Sequence, residues 1–559
     1  MKQHSFLTAL CLLFAAVPIT GQTIKSSMEF APSEHWIKPV EKPYREEICL
    51  NGTWAFAPVQ LPVGFKEGET PAPALPGVNE VTFSKTPIRI PSPWNVNSFA
   101  DKNGLGGDHR TYPSYPKEWE SIKMGWLQKK FTVPASWKGK RIQIHFEAVA
   151  GKTDIYVNGK AVGDNFDIFM PFDIDITDAV KFGQENTLNV GIQKSSLFDD
   201  RKSPLGRRTY QGGSFWGQHI AGIWQDVYLV ALPQTRVADV YIQPIVNKNT
   251  LEVEVTLRND ENKPVEVNIS AAAYPWISKA GKTVLTAANP SSQLGSQAAL
   301  QMPTQKVTIP AGKEIKTTLK TTVDNKLKLW SPSSPNLYGL VVKTSVNGKT
   351  NDSKYTRFGW RQTELKEGKF WLNGKPFVLK GDSWHYMGIP QMTRRYPWAW
   401  YTALRDANCN AVRLHAQPFP SFYLDVADEM GILVLDESAM WASDGGQKLG
   451  SEEFWKCSEE HMKQLVLRDR NHPSVFGWSV SNEIMPIIRG VMRNAPGLED
   501  NLVKHFKIWS DICFKYDPSR AWASADGEDD GRGLLPFYMV HYGGEGAMKR
   551  AYESGKPWG

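Results

Sequence analysis

Between residues 24 and 232 the chain reads as short runs in which apolar and polar residues alternate, separated by Gly, Asn and Pro. Alternation with a period of two buries one face of a strand and wets the other, so residues 126–133, 141–146, 153–157 and 187–192 are predicted strands. Asn158-Gly159 falls between two of these runs, and a tight hairpin turn of this kind needs positive φ at both central residues, which Asn and Gly tolerate best. An antiparallel β-sandwich over residues 22–234 is the fold this pattern predicts.

A second all-β stretch follows over residues 235–364, with strands at 251–257 and 337–346, and suits an immunoglobulin-like sandwich. The polar segment 289–305 inside it is predicted to be a loop. After Lys369 the rhythm changes. Apolar runs at 377–380, 411–414, 432–435, 475–480, 522–525 and 537–541 alternate with helical periods at 398–407, 422–430, 453–468 and 498–515. Residues 365–559 therefore read as a (β/α)8 TIM barrel in progress, with Lys556-Pro557-Trp558 as the approach to a further strand and the sequence stopping there, which leaves the barrel incomplete.

Composition narrows the class without choosing the function. A chain of 559 residues implies several domains, at roughly 100 to 200 residues each. The net charge of +7 is spread without a run of five or more like charges, so neither nucleic acid nor a membrane surface is an expected partner. Lys2 followed by an apolar run from residue 6 to 17 is too short to span a bilayer and reads as a secretory leader over residues 1–21, giving a secreted or periplasmic protein. Cys49, Cys409, Cys457 and Cys513 have no C-x-x-C spacing and are expected to be buried thiols, with a disulfide left open. The 21 tryptophans suit sugar rings, whose C–H faces pack on flat aromatics, although core packing explains most of them equally well.

In a β/α barrel the chemistry sits at the carboxyl ends of the strands, which selects a short set of residues. Trp384 and His385 follow the first apolar run. Arg413 and His415 close the second, Asp436 and Glu437 the third, Asn482 and Glu483 the fourth, and His541 and Tyr542 the sixth. Carboxylates, imidazoles and indoles dominate this set, and no G-x-S-x-G, phosphate-binding loop or H-E-x-x-H motif occurs. Such a set favours glycosidic bond cleavage, in which one carboxylic acid protonates the leaving oxygen and a second carboxylate attacks the anomeric carbon.

Gly477-Trp478-Ser479-Val480-Ser481-Asn482-Glu483 resembles the strand-four motif of glycoside hydrolase family 2, the β-galactosidase/β-glucuronidase family, and Arg470-Asn471-His472-Pro473 resembles its lead-in. Gly125-Trp126, Tyr156-Val157-Asn158-Gly159 and Gly222-Ile223-Trp224 are similar to the family's sugar-binding jelly roll. Leu329-Trp330-Ser331-Pro332 is similar to its immunoglobulin-like domain, and Leu372-Asn373-Gly374-Lys375-Pro376 to the start of its barrel. The resemblance implies a retaining exo-β-glycosidase. In it Glu483 is the acid/base, Asn482 bonds the sugar 2-hydroxyl, His385 faces substrate and Arg413 braces carboxylates. Trp384, His415, Asp436, Glu437, His541 and Tyr542 are further substrate-facing candidates, and no cofactor is implied.

Three departures limit the likeness. The family's strand-two histidine falls on Ala416, with His415 one place earlier. The magnesium-using branch carries a carboxylate and a histidine where this chain has Trp441 and Ser443, so no such metal site is expected. The family's nucleophile is a glutamate after strand seven; Glu545 and Glu553 lie in the wrong places for it, so residues 1–559 alone are expected to be inactive or nearly so. The alternatives are a non-catalytic carbohydrate-binding protein and a β-glucuronidase of the same family. A glutamate soon after Gly559 in the reading frame would favour an enzyme.

Overall fold

Thr153, Ile155 and Val157 point inward from Lys152–Val157 while Lys152, Asp154 and Tyr156 stay partly wet, which is the alternation that makes a sandwich strand. The computed structural model describes residues 35–68, 71–95, 115–203, 206–214, 219–278, 292–386, 388, 391–442, 446–490, 492, 495–525, 531–540 and 542–559. The expected leader at 1–21 lies outside them. Lys152–Val157 belongs to a sheet with Ile88–Ile90, Gly52–Val59, Met124–Thr132, Glu185–Gln193 and Lys160–Asn165. It faces a second sheet of Glu46–Cys49, Val227–Leu232, Arg141–Phe146 and Phe172–Asp175, and Trp54, Trp94, Leu127, Ile144, Val190 and Leu229 fill the space between. Asn158 (φ 53°) and Gly159 (φ 82°) make the hairpin turn in the left-handed conformation that their residue types anticipate.

The next sandwich sets Thr235–Ile245, Thr250–Asn259 and Glu314–Thr322 against a sheet built on the 14-residue strand Val265–Ser278. The predicted loop at 289–305 is corrected here. Ser292–Leu294 and Leu300–Gln301 pair with Val265–Ser278, Leu294 opposite Trp276 and Leu300 opposite Ala273. A long strand needs backbone partners along its whole edge, and Leu300 is buried where it meets that strand, so pairing outweighs the polarity of the segment.

The barrel begins one step later than the apolar pattern indicates. Asn373 and Gly374 both take positive φ, so Lys375–Phe377 folds back on Lys369–Leu372 in an antiparallel meander with Thr363–Lys366. The predicted first barrel strand at 377–380 is thus split between the meander and a connection. The barrel elements are β1 (Gly381–His385), α1 (Arg395–Asp406), β2 (Ala411–His415), α2 (Phe422–Met430), β3 (Leu433–Glu437), α3 (Glu452–Asp469), β4 (Val475–Asn482), α4 (Ile484–Gly490), α5 (Leu498–Tyr516), β5 (Ala521–Ala525) and α6 (Glu545–Glu553). The strands run parallel in the order β1-β2-β3-β4-β5. The predicted strand at 537–541 and the approach at 556–558 meet as a short parallel bridge. Tyr538 N–H donates to Pro557 O at 2.9 Å and Gly559 N–H to Tyr538 O at 3.1 Å. The four described cysteines are free thiols; Cys513 is buried and the other three only half-buried. Among the described residues no helix is long and apolar enough to cross a membrane.

Buried polar contacts lock the domains together. Arg45 of the first sandwich donates Nε and Nη2 to Asp352 of the second at 2.8 and 2.6 Å, and both residues are buried. Trp330 Nε1 donates to Asp428 O on α2 at 2.9 Å, and Tyr241 Oη to Asp517 Oδ1 before β5 at 2.7 Å. Asp352→Ala would strand a buried guanidinium, a change that costs about 3–5 kcal/mol in comparable sites. The variant is expected to unfold at a clearly lower urea concentration than the parent, and an unchanged midpoint would remove this pair from the domain lock.

Candidate active site

Glu437 ends β3 with no exposed surface, and its charge is compensated on two sides. Arg413 of β2 donates Nε to Oε2 at 2.7 Å and Nη2 to Oε1 at 2.8 Å, and Ser479 of β4 donates its hydroxyl to Oε2 at 2.6 Å. The same Arg413 Nη2 also donates to Asn482 Oδ1. Arginine has only donors to offer, so the amide oxygen must face it and the NH2 group is turned the other way. Asn482 Nδ2 is buried and has no hydrogen-bond partner among the described residues. An unmet buried donor costs about 1–3 kcal/mol, which a ligand acceptor would recover.

Glu483 follows at once, where β4 gives way to α4. Its φ of 58° is left-handed, a conformation uncommon for a residue with a Cβ. Trp441 Nε1 donates to its Oε2 at 3.0 Å. Across the mouth, parallel pairing puts His385 of β1 beside His415 of β2, with ring centroids 4.1 Å apart. Burial and the neighbouring Arg413 push the His385 pKa below its usual value, with Glu483 opposing them, so this imidazole is neutral at neutral pH. Arg413, His385, His415, Glu437, Asn482 and Glu483 therefore meet at one end of the sheet. Ala416, where the family resemblance would put a histidine, is buried.

Three of the predicted positions, Trp384, Asp436 and Tyr542, lie apart from this group. Trp384 alternates with His385, so its ring leaves the barrel interior and packs on Trp400 of α1 at 5.5 Å. Asp436 alternates with Glu437 and lies behind the strand beside Asp469 and Arg468 of α3. Glu437 itself is bonded to Arg413 and Ser479. Tyr542 is 92% exposed. His541 lies outside the described residues, as does Ser443. Glu545 and Glu553 bound α6 and are both exposed.

Other site residues come from parts of the chain where no strand end marks them. An arm of the first sandwich, residues 206–214, reaches the barrel loops. Gly213 N–H donates to Ala439 O at 2.9 Å, and Ser214 Oγ donates to Gln417 Oε1 at 3.3 Å and His415 O at 3.4 Å. Gly213 has φ 62°, and a Cβ there would stand 2.6 Å from the Phe169 ring, so the close approach requires glycine. Ser214 and Gln417 are 203 residues apart, so local pattern could not reveal the contact.

Two other features of the molecule are separate. A cleft of about 860 Å³ at the junction of the three domains, lined by Trp36, Tyr228, Trp276, Lys354 and Phe422, contains none of the residues gathered at the barrel mouth. Asp425, Asp428 and His472 offer ligand atoms within 4.8 Å of one another, but Arg357 donates to both aspartates and supplies their counter-charge.

Comparison with known proteins agrees with this architecture. Residues 48–233 match the sugar binding domain of Glycosyl hydrolases family 2, residues 235–361 the family's second domain model, and residues 363–520 its TIM barrel domain. A beta-galactosidase of Thermoanaerobacter pseudethanolicus is 29% identical over 427 residues, covering 74% of this chain and 50% of that protein. A putative beta-glucuronidase of Formosa agariphila is 28% identical over 407 residues, covering 71% of this chain and 34% of its own length. The crystal structure of a Bacteroides uniformis beta-glucuronidase superposes with a TM-score of 0.70 at 19% identity, over 92% of this chain and 58% of that one. The chain thus spans half or less of the length of these curated relatives.

The placement of Asp436 generates a pH test. Burial first, and then the facing Asp469, raise its pKa well above the usual carboxylate value, so it is protonated in the folded protein where the unfolded chain would be ionised. Its contribution is fully present below about pH 4 and is lost as pH rises from there toward the raised folded value. Asp436→Asn, neutral at every pH, is expected to flatten the fall in melting temperature with rising pH and to melt higher than the parent at pH 7. A parallel fall in both proteins would show that Asp436 is not the cause.

Proposed function

The chain belongs to glycosyl hydrolase family 2, and from that premise we propose that it is a retaining exo-β-glycosidase acting on terminal β-linked sugars, β-galactosidase-like, with Glu483 as acid/base. The observation that carries the reading is the pair at the end of β4, an amide whose NH2 has no described partner beside a carboxylate held in a left-handed backbone. A sugar hydroxyl accepting from Asn482 Nδ2 would set the ring so that Glu483 lies beside the bridging oxygen. Glu483 then gives its proton to the leaving oxygen as the glycosidic bond breaks, and in the second step takes a proton from the water that releases the sugar. His385 supplies a neutral imidazole to a neighbouring hydroxyl, with His415 beside it, and Arg413 keeps the Asn482 amide turned toward substrate. The attacking carboxylate of a retaining enzyme stands about 5–5.5 Å from the acid. Glu437 is engaged by Arg413 and Ser479, and Glu545 and Glu553 are exposed, so this reading assigns the nucleophile to none of them.

Relatives that carry both beta-galactosidase and beta-glucuronidase names support the reaction class and leave the sugar open. The proposal includes export, from the apolar run at residues 6–17, and N-terminal sequencing of the mature protein should begin near residue 22. The deciding experiment is a panel of nitrophenyl β-glycosides, galactoside and glucuronide included, on the product of the whole reading frame. One sugar should be cleaved, and Glu483→Gln should lower kcat by about 10²- to 10⁴-fold. Full activity in that variant would take Glu483 out of the chemistry. Binding of a sugar with no turnover of any member would favour the carbohydrate-binding alternative.

A further inference from the structure

The functional reading leaves one well-placed side chain without a role. Trp441 follows β3 and is 4% exposed. Its backbone pairs with the end of β4: Asn482 N–H donates to Met440 O at 2.9 Å and Ala442 N–H to Asn482 O at 3.3 Å. The Trp441 carbonyl accepts from the buried Gln447 Nε2 at 2.5 Å. The first sandwich holds that neighbour in turn: Arg208 bridges Gln447, Lys448 N–H donates to Arg208 O at 2.8 Å, and Arg207 N–H donates to Gly446 O at 3.0 Å. Gly206 packs so tightly here that a Cβ would stand 1.8 Å from Gln447 O. A ring so confined has little freedom to turn, and its N–H ends 3.0 Å from Glu483 Oε2.

We propose that Trp441 is a positioning residue for Glu483, its indole N–H holding Oε2 so that proton transfer to and from the glycosidic oxygen falls to Oε1. The inference rests on the acid/base reading of Glu483. In the first step the O–H bond at Oε1 breaks as a new O–H forms on the leaving oxygen, which keeps the electron pair of the broken glycosidic bond. Glu483 is left as a carboxylate with Oε2 still bonded to the indole. In the second step Oε1 takes one proton from water, whose oxygen bonds the anomeric carbon and releases the nucleophile. A donor on Oε2 stabilises the anion formed in the first step, and an indole N–H in a dry site does so with no titration of its own. Among the described residues, charged or titratable groups that also bear on Glu483 include His385 of β1, which its charge influences, and Arg413 of β2, which is bonded to the adjacent Asn482 and carries Glu437 of β3 with it.

The test compares two β-glycosides of the sugar that the nitrophenyl panel selects, one with an alkyl leaving group that must be protonated and one with dinitrophenolate, which leaves unaided. Trp441→Phe keeps the packing and removes the N–H. It is expected to lower kcat/KM on the alkyl glycoside by about tenfold to a hundredfold, leave the dinitrophenyl substrate little changed, and move the alkaline limb of the pH profile upward by about one unit. Equal losses on both substrates would mean that Trp441 only supports the fold, and no loss on either would mean that the hydrogen bond does nothing; either result overturns the proposal. If Trp441→Phe does not fold, benzothienylalanine at position 441, an isostere in which sulfur replaces the N–H, gives the same readout. Glu483→Gln run beside it separates the two ideas. If Glu483→Gln loses the alkyl substrate while the Trp441 variants do not, this inference alone fails; if Glu483→Gln keeps it, the acid/base reading fails.

Discussion

A carboxylate with no exposed surface must be paired, and at Glu437 that requirement organises the barrel mouth. Glu437 ends β3, Arg413 comes from β2 and Ser479 from β4, so satisfying one charge draws three strands together. The guanidinium is bidentate on Glu437 and still reaches Asn482, and because it cannot accept a hydrogen bond it fixes which end of the amide faces outward. Orientation at the candidate substrate position is therefore inherited from a salt bridge. Lysine, with one compact ammonium, could neutralise Glu437 but could not hold both it and the amide in a single geometry.

The two sandwiches do more than flank this arrangement. The arm at residues 206–214 supplies backbone partners to the loop after β3 on both sides of Trp441, and the Ser214 hydroxyl to the end of β2. Loops at a barrel mouth have few neighbours of their own, and backbone groups left without partners there would cost as much as lost hydrogen bonds. The arm meets that need, and the domain that carries it and the barrel are each tied to the second sandwich far from the mouth, by Arg45 with Asp352 and by Tyr241 with Asp517. Domain packing and site geometry are in this sense one problem.

Much of this was legible in the amino-acid pattern, and the failures have physical causes. Alternation located Arg141–Phe146 to the residue, and helical periodicity did the same for Phe422–Met430, because each buries one face against a continuous core. The first barrel strand was misplaced because the Asn373-Gly374 turn claims Phe377 for the meander, and β1, at the sheet edge, carries no apolar run to betray it. That shift decides Trp384, since moving a strand by one residue exchanges its faces. Asp436 and Glu437 are indistinguishable as adjacent acids; only the pleat shows that one enters the barrel and the other meets α3. The roles of Ser214, Gln447 and Trp441 depend on contacts between distant segments, which no local window contains.

Two costs remain at consecutive residues. Of the other non-glycine residues at positive φ, Asn158, Asn249, Asp324, Asn325, Asn347, Asn373 and Asn408 have side chains that suit tight turns, Glu367 lies at a hairpin tip, and Arg532 and Tyr542 lie in irregular segments outside any strand or helix. Glu483 has none of these excuses: it follows a strand buried along its whole length and leads into a helix, where an ordinary conformation would have been cheaper. Strain of this kind amounts to about 1–3 kcal/mol and persists only where the surroundings impose it. Here they do, because Asn482 is bonded through its backbone to the loop before Trp441 and through its side chain to Arg413, so the chain must turn sharply to leave the strand. The turn carries the carboxylate to the indole and leaves the amide NH2 without a described partner beside it. A fold selected for stability alone would relieve both costs by placing different residues at 482 and 483; a site that must present a donor and an acid side by side to one ligand gains from keeping them.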